Sequence, residues 1–464
     1  MQLQTNDASS LASVKGSGNL LGISLIAALA GFIFGFDTVV ISGANLPIKE
    51  LWHTSPLFHG FFIMSMALWG TVVGAVFGGI PTQKYGRKKV LLWIGILFSV
   101  SALGSALAQD PYTFSFFRFI GGLGIGVSSV AAPTYISEIS TPATRGRLGA
   151  MYQFNIVFGI LVAFLSNYFL AGLGGDHDWR WMLGVMAVPS LIYTVMVRTI
   201  PESPRWLIAK KNDNATAKNV LIKLGVTNPD EVISSVATSI QHETAAGHTS
   251  GFFSSKYKAI IWLAFMVAFF NQVSGINFIL YYAPEILERA GLAAKESLFN
   301  SIAIGGTNLV FTFVGLYLID RIGRKTLLLI GSLGYMLSLS LVAWSFYSHS
   351  SPGFLLIFLL LFIAAHAIGQ GAVIWVFISE IFPNKVRATG QSFGASIHWV
   401  FAALITLLTP VFLDAKDGIF KDNPWPIFAF FACMMTLQLI WVLTKVPETK
   451  GVSLEELEKK LVKE

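Results

Sequence analysis

Twelve stretches of largely uncharged, mostly apolar residues follow one another along this chain, each long enough to cross a bilayer, which takes roughly 18 or more such residues. In hydrocarbon a backbone must satisfy its own N–H and C=O groups, so runs of this length predict helices. They fall at 19–43, 57–80, 88–108, 111–137, 147–170, 180–199, 257–284, 297–319, 326–348, 352–379, 388–413 and 424–446. A polar insert at 201–256 separates the sixth from the seventh. The expected organisation is a segment at 1–18, a six-helix half at 19–200, the insert, a second six-helix half at 257–446 and a tail at 447–464. With 54% hydrophobic and only 12% charged residues, the composition excludes an ordinary soluble domain. The first 18 residues, MQLQTNDASSLASVKGSG, lack the basic region, apolar core and small-residue cleavage site of a removable signal peptide. Cys433, the single cysteine, lies in the last span and allows no internal disulfide.

The formal net charge is +7, and its meaning depends on where the basic residues lie. Most of the 32 Lys and Arg fall at the termini and in the even-numbered connections, while Arg118 stands inside a span. Such an excess marks cytoplasmic loops. Both termini and the insert are therefore expected in the cytoplasm, with the protein in a plasma membrane of the bacterial inner-membrane type. The basic balance is a topology signal, and the expected surroundings are a lipid bilayer with no nucleic acid and no obligate protein partner.

The two halves repeat one another. QKYGRKK at 83–89 recurs as DRIGRKT at 320–326, Glu138 with Arg145 recurs as Glu380 with Arg387, and PESPR at 201–205 recurs as PETKG at 447–451. Three motifs in the same order at a near-constant shift predict a duplicated six-helix unit in parallel orientation.

These motifs, together with FGFDTVVISG at 34–43, RFIGGLGIGVSSVAAPTYISEISTPATRGRLG at 118–149, PESPRWL at 201–207, NQVSGINFILYYAPEI at 271–286 and WVFISEIFPNKVRATG at 375–390, resemble the sugar porters of the major facilitator superfamily nearly end to end. The resemblance implies an all-α fold of twelve transmembrane helices in two pseudo-symmetric halves with a small cytoplasmic helical insert. It also implies alternating access to one central site, a monosaccharide as solute and no cofactor. In this family, Asp at the place of Asp37 accompanies proton symport of the bacterial xylose and galactose type, and Asn accompanies facilitated glucose uniport.

Asp37 is the only acid in the first span, and Arg118 the only basic residue well inside the fourth. Ionisable groups in lipid face an interior cavity and a partner. Two readings stand: a fixed ion pair that orients two helices, or a proton switch in which desolvation and the neighbouring guanidinium act on the carboxyl in opposite directions. Sodium is a poorer coupling ion, because it takes a cage of oxygen ligands and Arg118 repels it.

A sugar hydroxyl both donates and accepts, so its site should offer uncharged amides, with an indole for the ring face. Gln153, Asn271, Gln272, Asn277, Asn308 and Trp375 supply them. Amides in spans also serve as interhelical glue, which is the plainer reading of any one of them. By resemblance, the positions of Gln153 in QFNIVFG, of Asn271, Gln272 and Asn277 in NQVSGIN, of Asn308 and of Trp375 contact the sugar. Three departures bear on which sugar that is. Asn271 stands where family members commonly have Gln, GQGAVIW at 369–375 lacks the usual prolines, and His398 replaces Gln or Asn. His398 is read as a hydroxyl partner, as a group that titrates near neutral pH and takes part in coupling, or as a packed neutral side chain. No metal-ligand spacing links the other histidines.

Arg87, Glu138, Arg145, Asp320, Arg324, Glu380 and Arg387 are expected to form a charge network spanning the two halves on the cytoplasmic face. Gln83 stands where Asp320 stands in the second half. By resemblance, this network holds the cytoplasmic ends together when the site faces outward and comes apart when it faces inward. Glycine-rich GGLGIG at 121–126 does not have the spacing of a nucleotide loop, and Gly122 and Gly126, with Gly70, Gly74 and Gly78, read as close helix packing. In the insert, Ala217, Val220, Leu221 and Leu224, then Ile233, Val236, Ala237 and Ile240, follow helical spacing, with Asn228, Pro229 and Glu231 as the start of the second helix.

The leading expectation is a proton-coupled monosaccharide symporter, with a uniporter sharing the same site as the nearest alternative. A drug antiporter would carry a Gly-Pro run in the fifth span, which has only Gly149 and Gly159. A sugar sensor usually carries a long signalling tail, and an enzyme would need a nucleophile, acid pair or metal cluster at a cavity.

Overall fold

The computed structural model describes residues 17–245, 251–383, 385–452 and 454–461. Most of the expected segment at 1–18, together with 246–250 of the insert and the end of the tail, lies outside the described residues. The first half runs α1 (Ser17–Trp52), α2 (Pro56–Phe58) leading into a π turn (His59–Met64), α3 (Met66–Phe77), α4 (Gly79–Tyr85), α5 (Arg87–Leu107), α6 (Pro111–Ile139), α7 (Pro142–Leu170), α8 (Asp178–Gly184) and α9 (Ala187–Val197). The insert contributes α10 (Pro204–Trp206), α11 (Asn214–Lys223) and α12 (Pro229–Ala245). The second half runs α13 (Lys258–Gln272), α14 (Ile276–Arg289), α15 (Ala294–Ile322), α16 (Arg324–Tyr347), α17 (Pro352–Ile368), α18 (Gln370–Ile381), α19 (Arg387–Leu413) and α20 (Trp425–Lys445), followed by α21 (Leu454–Leu461).

Among the described residues, eleven helices are long and apolar enough to cross a membrane, and a bent pair makes a twelfth crossing. Large apolar side chains that remain exposed, such as Leu107, Phe116, Phe169 and Ile357, suit a surface solvated by lipid. Four of the expected continuous spans are interrupted, the sixth between α8 and α9 at Val185 and Met186. The run expected at 57–80 bends by 44° between Pro56–Met64 and Met66–Phe77. There the Ser65 N–H reaches the Gly60 carbonyl at 2.9 Å in a π-type bond, and a Cβ on Gly60 would collide with the Leu407 carbonyl of α19. The seventh span breaks between α13 and α14 at Gly275, whose φ of +87° is open to glycine and strained for other residues. The tenth breaks at Gly369, between α17 and α18.

Cross-half packing follows the duplication: α1 lies against α14, α7 against α15, and α3 with the π turn against α19. Within the first half, Cβ atoms on Gly70, Gly74, Gly122 or Gly126 would strike backbone of the facing helix, so this stripe brings α3 and α6 into direct backbone contact. In the insert, Ala217, Val220, Leu221 and Leu224 are buried as their spacing predicts, and Asn228 Nδ2 donates to Glu231 Oε2 at 3.1 Å where α12 starts.

In this state the charged motifs form two copies of a single cluster, one in each half. Arg87 Nη2 meets Glu138 at 2.7 Å, and Arg324 Nη2 meets Glu380 at 2.8 Å. Ser203 donates to Glu138 and Thr449 to Glu380, both at 2.6 Å. Glu202 accepts the N–H groups of Arg87 and Lys88, as Glu448 accepts those of Arg324 and Lys325. The cause is local. Gly86 and Gly323, at φ +95° and +94°, start α5 and α16 and leave their first N–H groups for a carboxylate, which PES and PET of the same half supply. Asp320 pairs with Arg324 at 3.0 Å, Arg145 is exposed, and Arg387 donates Nε to the Phe382 carbonyl.

Candidate functional site

A cavity of about 130 Å³ lies between the halves. Its polar lining comes from α7 (Gln153), the broken seventh span (Asn271, Gln272, Asn277), α15 (Asn308) and α19 (His398), so six of the seven residues expected to contact solute are brought together there. The break at Gly275 sets the geometry: Asn271 and Gln272 end one helix and Asn277 begins the next, so all three amides turn to one place. They are already hydrogen-bonded in series. Asn277 Nδ2 donates to Gln272 Oε1 at 2.8 Å, and Gln272 Nε2 donates to Asn271 Oδ1 at 2.9 Å. His398 presents its ring nitrogens to Gln272 Nε2 at 3.1 and 3.2 Å. Such a chain fixes each amide's orientation in a poorly screened interior. Gln153 and Asn308 line the cavity with side chains that make no hydrogen bond among the described residues.

Trp375 stands apart from this lining. It lies one helical turn beyond Gly371 on α18, is 38% exposed, and packs its ring 5.0 Å from that of His398. The aromatic wall is built instead from Phe34 of α1 and Trp399 of α19, whose rings meet at 5.6 Å across the halves. Sequence reading also missed Thr38, Thr312 and His366, all lining residues. The available signal for His366 was a histidine inside an otherwise apolar tenth span.

Asp37 and Arg118 form the ion pair their isolation in the spans suggested. Arg118 Nη1 donates to Asp37 Oδ1 at 2.5 Å and Nη2 to the Asp37 carbonyl at 3.3 Å, with the two residues 1% and 0% exposed. The pair is incompletely satisfied: Asp37 Oδ2 and Arg118 Nε are buried without a hydrogen-bond partner. Asp37 does not itself line the cavity, but the next residue on α1, Thr38, does.

At the end of the bundle opposite the charged clusters, the halves are tied to each other. Lys49 of α1 pairs with Asp414 after α19. Asn45 of α1 donates Nδ2 to Glu285 of α14 at 2.6 Å, and its Oδ1 meets His59 Nε2 at 2.8 Å. A second cavity, about 470 Å³, opens beside these contacts. The halves are thus joined at this end, whereas the duplicated charge clusters at the other end are closed within each half. No group of three or more His, Cys, Asp or Glu suited to a metal ion occurs among the described residues.

Comparison with known proteins places these features in a family. The profile of the family described as sugar (and other) transporter matches residues 23–461. The chain is 36% identical over 453 residues to the arabinose-proton symporter of Bacillus subtilis, covering 96% of each chain. It is 31% identical to the D-xylose-proton symporter of Escherichia coli, covering 95% of this chain and 96% of that one. Among solved structures, the inward-open conformation of the E. coli xylose transporter XylE superposes with a TM-score of 0.83 at 30% identity, covering 95% of this chain and 100% of that one.

Proposed function

The chain belongs to the sugar transporter family and has the major facilitator fold, and from that premise we propose that it is a proton-coupled monosaccharide symporter. The carrying observation is the buried Asp37–Arg118 pair, one residue along α1 from an amide-lined cavity. Gln153, Asn271, Gln272, Asn277 and Asn308 offer neutral donors and acceptors to sugar hydroxyls, and the Phe34–Trp399 wall offers an apolar face for the ring. His398, through Gln272, holds the amide series in place, and Trp375 packs against His398.

Asp37 Oδ2 is the coupling atom in this reading, because a proton can attach there without displacing Arg118 from Oδ1. Protonation neutralises the carboxyl and weakens the hold on Arg118, so α1 and α6 are freed to shift relative to each other. Sugar and proton shift the balance of conformations only by binding one state better than the other. The basic end is cytoplasmic by the distribution of Lys and Arg, so the solute enters from the end tied by Lys49 and Glu285 when those contacts part. The twin Arg–Glu clusters, with Arg145 and Arg387 beside them, then come together on the cytoplasmic side to close it. The protein sits in the bacterial inner membrane with the ends of its first and last spans inside.

Uptake into proteoliposomes across a hexose and pentose panel, with and without an inward proton gradient, tests this. Accumulation above equilibrium that requires the gradient supports symport. Equilibration without accumulation makes the protein a uniporter and reduces Asp37 to a structural ion pair. Absence of flux with every sugar removes the substrate class.

A further inference from the structure

We propose that His366 determines which sugar the cavity accepts, through one hydrogen bond from its Nε2 to a single hydroxyl of the bound molecule. The inference rests on the sugar-transport reading and names a residue and a selection rule within it. His366 ends the last turn of α17, beside the break at Gly369, and lines the cavity. Its Nδ1 is committed to the Tyr335 hydroxyl at 2.7 Å, the only hydrogen bond His366 makes among the described residues. Tyr335 is fully buried on α16 and packs its ring 5.3 Å from Phe362, so the imidazole is held from behind by a side chain that cannot follow the solute. That leaves Nε2 as the one free ring nitrogen.

The surroundings leave its edge uncovered. Gly371 also lines the cavity, and a Cβ there would stand 3.2 Å from Cδ2 and 3.3 Å from Nε2 of His366. Any larger residue at 371 would cover the edge. His398 is the contrasting case: one of its nitrogens accepts from the Gln272 amide, so it is tied to the amide series, whereas His366 is tied only to Tyr335.

The Tyr335 bond also fixes the sense of the contact. If Tyr335 donates to Nδ1, Nε2 carries the proton and donates; if Nδ1 donates to Tyr335, Nε2 accepts. A hydroxyl serves either case, and a C–H serves neither. A site built to bond a hydroxyl rejects an analogue lacking it far more strongly than an apolar pocket rejects a missing methylene.

The test is competition binding to the purified protein with labelled D-glucose, D-xylose and L-arabinose, each displaced by its full set of monodeoxy analogues. For the native protein, one analogue is expected to bind at least roughly tenfold more weakly than its parent through this contact. In His366→Phe, discrimination at that one position collapses to within about threefold while the other analogues keep their order. Gly371→Ala, which covers the Nε2 edge, reproduces the same single-position loss. Tyr335→Phe, which leaves the imidazole unfixed, reduces it partly, as expected of a positioning residue. If His366→Phe does not fold, Gly371→Ala alone decides. An unchanged profile, or one in which all analogues shift equally, overturns the role of His366. A native protein that binds none of the three sugars overturns the substrate class and the inference with it.

Discussion

Replacing Asp37 by Asn keeps the side chain's shape and removes its charge, leaving the Arg118 guanidinium, 1% exposed, without a counterion. Breaking one partner of a buried pair costs about 3–5 kcal/mol, because the surviving charge is stranded. At 1.4 kcal/mol per decade this corresponds to a hundred- to several-thousand-fold shift of the folding equilibrium. The intact pair contributes much less than that sum suggests, since Asp37 Oδ2 and Arg118 Nε already lack partners. Removing both charges should therefore restore most of the loss. Arg118→Met should cost less than Asp37→Asn, because a stranded carboxylate can neutralise itself by taking a proton and a guanidinium cannot. The assay is a double-mutant cycle on unfolding in detergent micelles followed by tryptophan fluorescence, with Asp37→Asn, Arg118→Met and both together. A coupling of about 3 kcal/mol or more, with the double variant within about 2 kcal/mol of native, is the expected result. Additive losses, or single variants each costing under about 1 kcal/mol, would refute the reasoning.

Three further outcomes follow from the geometry. Lys49→Ala with Asn45→Ala cuts the ties between halves at the end opposite the clusters, and each hydrogen bond removed, worth about 1 kcal/mol, should shift the balance about fivefold toward opening there, seen as faster hydrogen exchange in α14. Gly60→Ala drives a methyl into the Leu407 carbonyl, so it should disfavour the same closed end and speed exchange in α14 as well, unless the 44° bend yields without consequence. At Glu448, burial pushes the carboxyl up, but the backbone N–H groups of Lys450, Arg324, Lys325 and Thr449 outweigh it and leave the group below the ordinary 4.5. Its stabilisation is complete above that ordinary value and is lost as pH falls through the lowered folded-state value. Acid unfolding of the native protein should steepen in that window, and Glu448→Gln should flatten it; equal slopes would exclude the contribution.

Much of this was readable in the chain because the bilayer leaves few choices. Long apolar runs must be helices, and the duplicated GRK, Glu–Arg and PE motifs marked equivalent corners of the two halves. The amides of the seventh span could be read as a cluster because NQVSGIN places them around a glycine. What sequence left hidden depends on packing between helices distant in the chain. The bend at Ser65 arises from a π turn and the approach of α19 to Gly60, neither of which has a local hydropathy signal. Trp375 and Trp399 are indistinguishable by composition, and only the turn on which each falls relative to Gly371 and His398 decides which reaches the cavity. His366 was passed over because its meaning comes from Tyr335, on a different helix. The charge motifs were grouped by their duplication, and sequence does not tell in which state a cluster within one half becomes a network between two.

The central claim is that proton and sugar cross together by way of Asp37. The most direct measurement is the pH of a lightly buffered suspension of proteoliposomes held without an imposed gradient while sugar is added outside. Symport predicts an external alkalinisation that scales with sugar taken up and disappears in Asp37→Asn, although that variant still exchanges labelled for unlabelled sugar. Sugar entry by the native protein with no accompanying change in external pH would contradict it.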